Sequence, residues 1–303
     1  MHSSYLQHKR NLVMPAALVG GALFSKWMGY LTFLSPYLIF TMLFITYCRL
    51  SPRQIKPGKS DIYLLGIQVL LSAISYGALF WFDHTLAEGV FICVFVPTAT
   101  AAPVITSMLG GNIKKVVTYS LVSNVFVAGT GPVILAAIGD HADMSFSQSF
   151  VLILSRVAPL LIVPLISAFA LQYAWPRMHE KVATHQQLSF YIWAVSLFII
   201  VGGCVSFAIN TWTPESTWLM LALVAGAGVV CIVQFYVGRR FGRRYCDPVS
   251  GGQSLMQKNT VLAVWLAMAY MNPIASIGPA AYILWQNIIN SWQIARHDSL
   301  VVS

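Results

Sequence analysis

The chain has 303 residues, of which 57% are hydrophobic and only 9% charged, with a formal net charge of +9 and a mean hydropathy of +0.71. Soluble domains carry about 25% charged residues, so this composition excludes a water-facing globular fold. The apolar runs are long and continuous, unlike the alternating ~10-residue segments of a transmembrane barrel. Five cysteines, Cys48, Cys93, Cys204, Cys231 and Cys246, are odd in number and lack CxxC or metal-type spacing. That pattern argues against a disulfide scaffold or a metal centre.

Apolar runs of membrane length predict ten helical spans, near 11–29, 32–48, 61–82, 88–109, 113–138, 147–172, 188–209, 217–238, 250–270 and 274–294. Lys9 and Arg10 before the first run also fit a signal peptide, but no small-x-small cleavage site precedes Lys26, so a retained span is expected. Of the 18 Lys and Arg, all but three sort to loops on one side. Lys26 stands alone on the other, and Arg156 and Lys258 fall inside spans. The positive-inside rule then predicts that both termini are cytoplasmic, in an integral protein of the plasma (inner) membrane. Asp83, Glu88, Asp140, Asp143 and Glu215 gather on the outer side. The basic cluster Arg239–Arg244 sits where contact with anionic headgroups of the lipid bilayer is expected.

Ten spans divide at the loop Gly139–Ser145 into five and five, 1–138 and 147–295. An odd number per half makes the second half enter from the opposite side, so the expected fold is all-α, built of two inverted five-helix repeats. Polar interruptions fall in the fourth span of each half. In the first, Pro97-Thr98-Ala99-Thr100-Ala101-Ala102-Pro103 carries two helix-breaking prolines, Pro97 and Pro103, and two hydroxyls. In the second, Gly251-Gly252-Gln253-Ser254-Leu255-Met256-Gln257-Lys258-Asn259-Thr260 sets amides and an ammonium at bilayer depth. A lysine there costs about 2.5–3.5 kcal/mol. Paired interruptions of this kind point to the binding site of a secondary transporter. Gln68, Gln286 and Asn287 are further amides at membrane depth, where a lone amide often does no more than bridge two helices.

These segments resemble the bile acid:sodium symporter family. Pro97–Pro103 is similar to its fourth-span Pro-Gly-Gly-Thr-Ala-Ser-Asn motif, Gln253–Lys258 to its ninth-span Glu-x-Gly-x-Gln-Asn, Trp285-Gln286-Asn287 to its tenth-span Trp-His-Asn, and Gln68 to its third-span glutamine. The resemblance covers about residues 60 to 295. It implies discontinuous, crossing helices four and nine, with a core (transport) domain from 61–138 and 217–295 and a panel domain from 11–48 and 147–209. Where the family holds its first sodium, this chain has Ala102, Pro103, Val116, Ser120 and Gln253, so that site is expected to be absent. The second sodium site would fall on Gln68, Gln253, Ser254, Met256 and Gln257, and without a carboxylate it is expected to be weak. Lys258 replaces the family's asparagine. Its ammonium would stand in for a sodium charge, pair with a substrate anion, or titrate and carry a proton.

The expected function is secondary active transport of a small organic anion by alternating access, held near Thr98, Thr100, Lys258, Asn259, Gln286 and Asn287, with weak or no sodium coupling. No cofactor is expected beyond Na+ or H+ as a coupling ion, and no nucleic acid partner. Proton-coupled, exchange or facilitative transport on the same fold stays open, as does a non-transporting receptor or sensor. An enzyme is not expected, because no His/Asp/Glu cluster lies within a span. Arg156 fits a structural ion pair, a carbonyl clamp or a snorkelling side chain.

Overall fold

The computed structural model describes residues 16–48, 57–139, 145–184 and 186–302. The first part of the first expected span, the basic residues Lys9, Arg10, Arg49, Arg53 and Lys56, and most of the loop between the halves lie outside the described residues. In chain order the helices are α1 (Ser25–Leu31), α2 (Ser35–Tyr47), α3 (Lys59–Phe80), α4 (His84–Phe95), α5 (Ala102–Met108), α6 (Ile113–Ile138), α7 (Phe146–Ala174), α8 (Pro176–Thr184), α9 (Gln186–Thr211), α10 (Thr217–Tyr245), α11 (Pro248–Met256), α12 (Thr260–Tyr270) and α13 (Ile277–Val302). Residues 16–23 are helical as well.

Among the described residues, six segments are long and apolar enough to cross a membrane: Ser25–Tyr47, Lys59–Phe80, Ile113–Ile138, Phe146–Ala174, Tyr191–Thr211 and Pro214–Tyr245. The chain is therefore an all-α polytopic membrane protein. His84–Phe95 and Thr260–Tyr270 are shorter apolar helices, and each belongs to a segment that the sequence sets out as one span and the structure divides in two.

The causes of division are local. Val96 precedes Pro97 and is extended, at φ −58° and ψ 154°, as the clash with the proline ring requires, so α4 stops at Phe95. The helix resumes as α5 with Pro103 in its first turn, where a missing N–H costs nothing. In the other segment, Asp247 caps α11 by accepting from Ser250 N, with Pro248 next in line. Gln257 then turns extended at ψ 94°, and Asn259 caps α12 by accepting from Leu262 N. After α5 the chain reverses at Gly110, whose φ of 72° suits only glycine without strain.

Two compact units emerge. One takes residues 1–52 and 159–214. In it the helical stretch 16–23 and α1 lie against α9 at backbone distance, since a Cβ on Gly21 would sit 2.5 Å from Phe198 O and one on Gly202 2.4 Å from Met28 Cβ. Small residues that let backbones touch are how helices associate in lipid.

The other unit takes residues 53–158 and 215–303. Its interior is laid around α4, α11 and α12, whose residues are almost all buried. Cys93, Ala227, Cys231, Phe235, Met256, Ala281 and Tyr282 form one apolar cluster. Leu86, Val90, Leu219 and Leu223 form a second.

Candidate functional site

Within the second unit the two divided segments cross at their breaks. The crossing is a single antiparallel bridge between Thr98 and Lys258, closed by Ala99 N donating to Gln257 O at 2.8 Å and Asn259 N donating to Pro97 O at 2.9 Å. Thr98 Oγ1 adds a bond to Ser254 O at 2.7 Å. The C-terminal ends of α4 and α11 and the N-terminal ends of α5 and α12 thus converge at one place. Helix ends carry partial charges of roughly half an electron each, so this place concentrates backbone groups without intrahelical partners and opposed dipoles.

Side chains from four neighbouring helices gather at the exposed backbone. From α3, Gln68 Nε2 donates to Phe95 O at 2.7 Å and Val96 O at 3.2 Å. Its Oε1 accepts from Tyr119 of α6 at 2.5 Å and from Ser123 at 3.4 Å. From α13, Gln286 Oε1 accepts from Lys258 N at 3.1 Å and Tyr282 donates to Met256 O at 2.7 Å. Asn290 Oδ1 takes a bond from Gln253 Nε2 at 3.0 Å, and Asn290 Nδ2 donates to Gln257 Oε1 at 2.7 Å. From α10, Gln234 Nε2 donates to the Tyr282 hydroxyl at 2.9 Å.

The residues singled out from sequence do not all fall together. Thr98, Lys258, Asn259, Gln68, Gln253, Ser254, Met256, Gln257 and Gln286 are buried at or beside the crossing. Thr100 lies in the first break and is half-buried. Asn287 is one residue off the face that meets the breaks, and its amide is bonded within its own helix, to Ile283 O at 2.6 Å. Pro97 supplies a carbonyl to the bridge, and Pro103 sits in the first turn of α5. Arg156 is exposed on α7 and lies within electrostatic reach of Tyr270. Sequence reasoning passed over Tyr119, Ser123, Gln234, Tyr282 and Asn290. The signal was there for two pairs: Tyr282, Gln286 and Asn290 recur every four residues, as do Tyr119 and Ser123, which is one helix face each.

Lys258 is 1% exposed. Its Nζ has no hydrogen-bond partner among the described residues, and the Cys93 thiol lies within its electrostatic range. Next to it Asn259 Nδ2 is also unmet. Consecutive residues of the second break therefore each leave one donor unsatisfied. Such a pair suits an anion, because a buried ammonium needs either a partner or neutralisation.

Of the expected second-sodium ligands, Gln68 Oε1, Ser254 O, Met256 O and Gln257 Oε1 each accept a bond from Tyr119, Thr98, Tyr282 or Asn290, whereas Gln253 Oε1 accepts none among the described residues. No carboxylate stands among these residues, and the Lys258 side chain lies in the same break.

The family model described as the Sodium Bile acid symporter family matches residues 36–211, more than half of the chain. No curated protein matches.

Proposed function

This chain belongs to the Sodium Bile acid symporter family, and we propose that it is a secondary transporter that carries a small organic anion by alternating access without sodium coupling. The observation that carries the reading is the pair of unmet donors, Lys258 Nζ and Asn259 Nδ2, buried where two broken helices cross. The anion would lie against them, with Thr98, Thr100 and Gln286 around it. The oxygens of Gln68, Ser254, Met256 and Gln257 serve as internal acceptors in place of ion ligands.

The proposed architecture is ten spans in two inverted repeats, with the second unit as the moving core and the first as the panel. A paired arrangement at the two ends of the crossing supports it. Asn112 N, just past the first broken segment, donates to Ser250 Oγ at 2.7 Å and Asp247 Oδ2 at 3.3 Å at the start of the second. Asn272 N, just past the second, donates to Glu88 Oε2 at 3.1 Å at the start of the first. Each broken segment thus holds the far end of the other, as a two-fold axis through the crossing would demand. The excess of Lys and Arg on one side favours cytoplasmic termini in an inner membrane.

Uptake of organic anions into proteoliposomes, with sodium replaced by choline, tests the reading. Transport is expected to change little. A clear dependence with saturable sodium binding would sink the sodium-free mechanism, and thermal-shift screening of anions would identify the substrate class.

A further inference from the structure

One buried acid stands at the end of the crossing, apart from its unmet donors. Glu88, on the second turn of α4, is 0% exposed and accepts Asn272 N at 3.1 Å. Its other oxygen lies 3.8 Å from Nδ1 of His84, one turn earlier, whose side chain is 43% exposed. The Tyr76 hydroxyl of α3 lies 3.0 Å from the opposite ring nitrogen, Nε2. His84 is therefore positioned between outside water and a carboxylate that water does not reach.

We propose that Glu88 is a proton-binding site, loaded through His84, and that its protonation state sets whether α4 grips the junction between α12 and α13. As a carboxylate, Glu88 offers the Asn272 amide a charge-assisted acceptor. As an acid, it has given that charge up, and the grip weakens. The junction matters because Asn272 also caps the following turn, accepting from Ile274 N, and because α13 lies at backbone distance from α4 at Gly278 and Gly89. Loosening it frees one end of the crossing while the Asp247–Ser250–Asn112 grip holds the other. The inference rests on the transport reading, for which it names the proton as the coupling or regulating ion.

The groups around Glu88 fit this role. On its own helix are His84 and Asp83, the latter engaged as the cap of Leu86 N at 2.7 Å. From α3 comes Tyr76, which lies within the electrostatic field of Glu88. From α7, Arg156 reaches Tyr270, two residues before Asn272. α10 presents Leu219 and Leu223, and the junction presents Ile274 and Ile277. His84 is the exposed titratable neighbour, so a proton that reaches Glu88 passes it.

Hydrogen exchange of the segment 271–277 in the purified full chain reads the grip directly, with intrinsic rates corrected for pH. Protection of the Asn272 amide is expected to be present at high pH and to fall by about tenfold as pH is lowered through one titration. Glu88→Gln should give low protection that no longer titrates, and His84→Gln should shift the midpoint. Asn272→Pro is a second variant, because φ −59° and an extended Met271 accept proline. It deletes the donor, so pH should no longer alter exchange in the rest of the segment. A flat wild-type profile, or a Glu88→Gln profile that still titrates, overturns the proposal. No substrate is needed. A titrating amide in a protein that moves no anion would sink only the transport reading, and a flat profile in a working transporter only this one.

Discussion

Replacing Lys258 by methionine separates a working charge from a tolerated one. Methionine keeps the length and the apolar stem and removes the ammonium. The side chain is 1% exposed, and its Nζ has no hydrogen-bond partner among the described residues, so the empty protein should gain stability. An intramembrane lysine costs about 2.5–3.5 kcal/mol, and replacing a buried charge by a well-packed apolar group commonly recovers about 1–4 kcal/mol. Thermal unfolding should therefore rise by a few degrees. Anion binding should move the other way. Opposite charges about 4 Å apart attract by about 4 kcal/mol at an effective dielectric constant of about 20. At about 1.4 kcal/mol per decade, losing that attraction weakens binding by roughly two to three orders of magnitude. Scanning calorimetry or fluorescence melting, paired with anion uptake in proteoliposomes, reads both signs. Lys258→Asn should fold equally well and lose any pH dependence that the lysine confers. If Lys258→Met transports normally at every pH tested, the lysine is a bystander and the mechanism is wrong.

Gln68→Leu tests whether this glutamine is a structural pin or an ion ligand. It strips the carbonyls of Phe95 and Val96 of a donor and leaves the Tyr119 hydroxyl only the long bond to Leu64 O at 3.5 Å. At about 1–3 kcal/mol for each buried group left unpaired, melting should fall by several degrees with no change in ion dependence; a normal melt with altered sodium response would contradict the pin. For topology, a single cysteine at Ser145 should label from outside and one at Ser51 from inside, and labelling of both from one side would overturn the ten-span layout.

Much of the arrangement was legible because lipid makes the sequence speak plainly. Apolar length pointed to the six membrane-length segments, and Pro97 and the polar run at 251–260 to the two interruptions. The exact break in the second segment was less legible. Glycines and amides over 251–257 suggest a disrupted helix, yet α11 is regular through Met256, because Gly251 is small to admit the backbone of α10. A Cβ there would sit 2.3 Å from Gly238 O. Glu88 looked like a loop acid at the outer end of a span, and α4 instead begins at His84 and buries it. The partners of the crossing were hidden for another reason. Tyr119, Tyr282 and Asn290 are ordinary residues of apolar helices until a broken backbone is laid against them.

The crossing can be treated as a complete account of backbone and side-chain polar groups, since in lipid each must be met from within. The C-terminal carbonyls of α4 go to Gln68, and those of α11 go to Thr98, Tyr282 and the Ala99 amide. The amide at the start of α12 goes to Asn259, and that of Lys258 to Gln286. Folding thus satisfies these backbone groups with the chain's own side chains and one backbone amide. What folding leaves over around it, among the described residues, is Lys258 Nζ, Asn259 Nδ2, Gln253 Oε1, Gln234 Oε1 and Asn124 Oδ1. A buried lysine amine and amide left unmet beside this scaffold are a standing cost, which the proposed anion would offset.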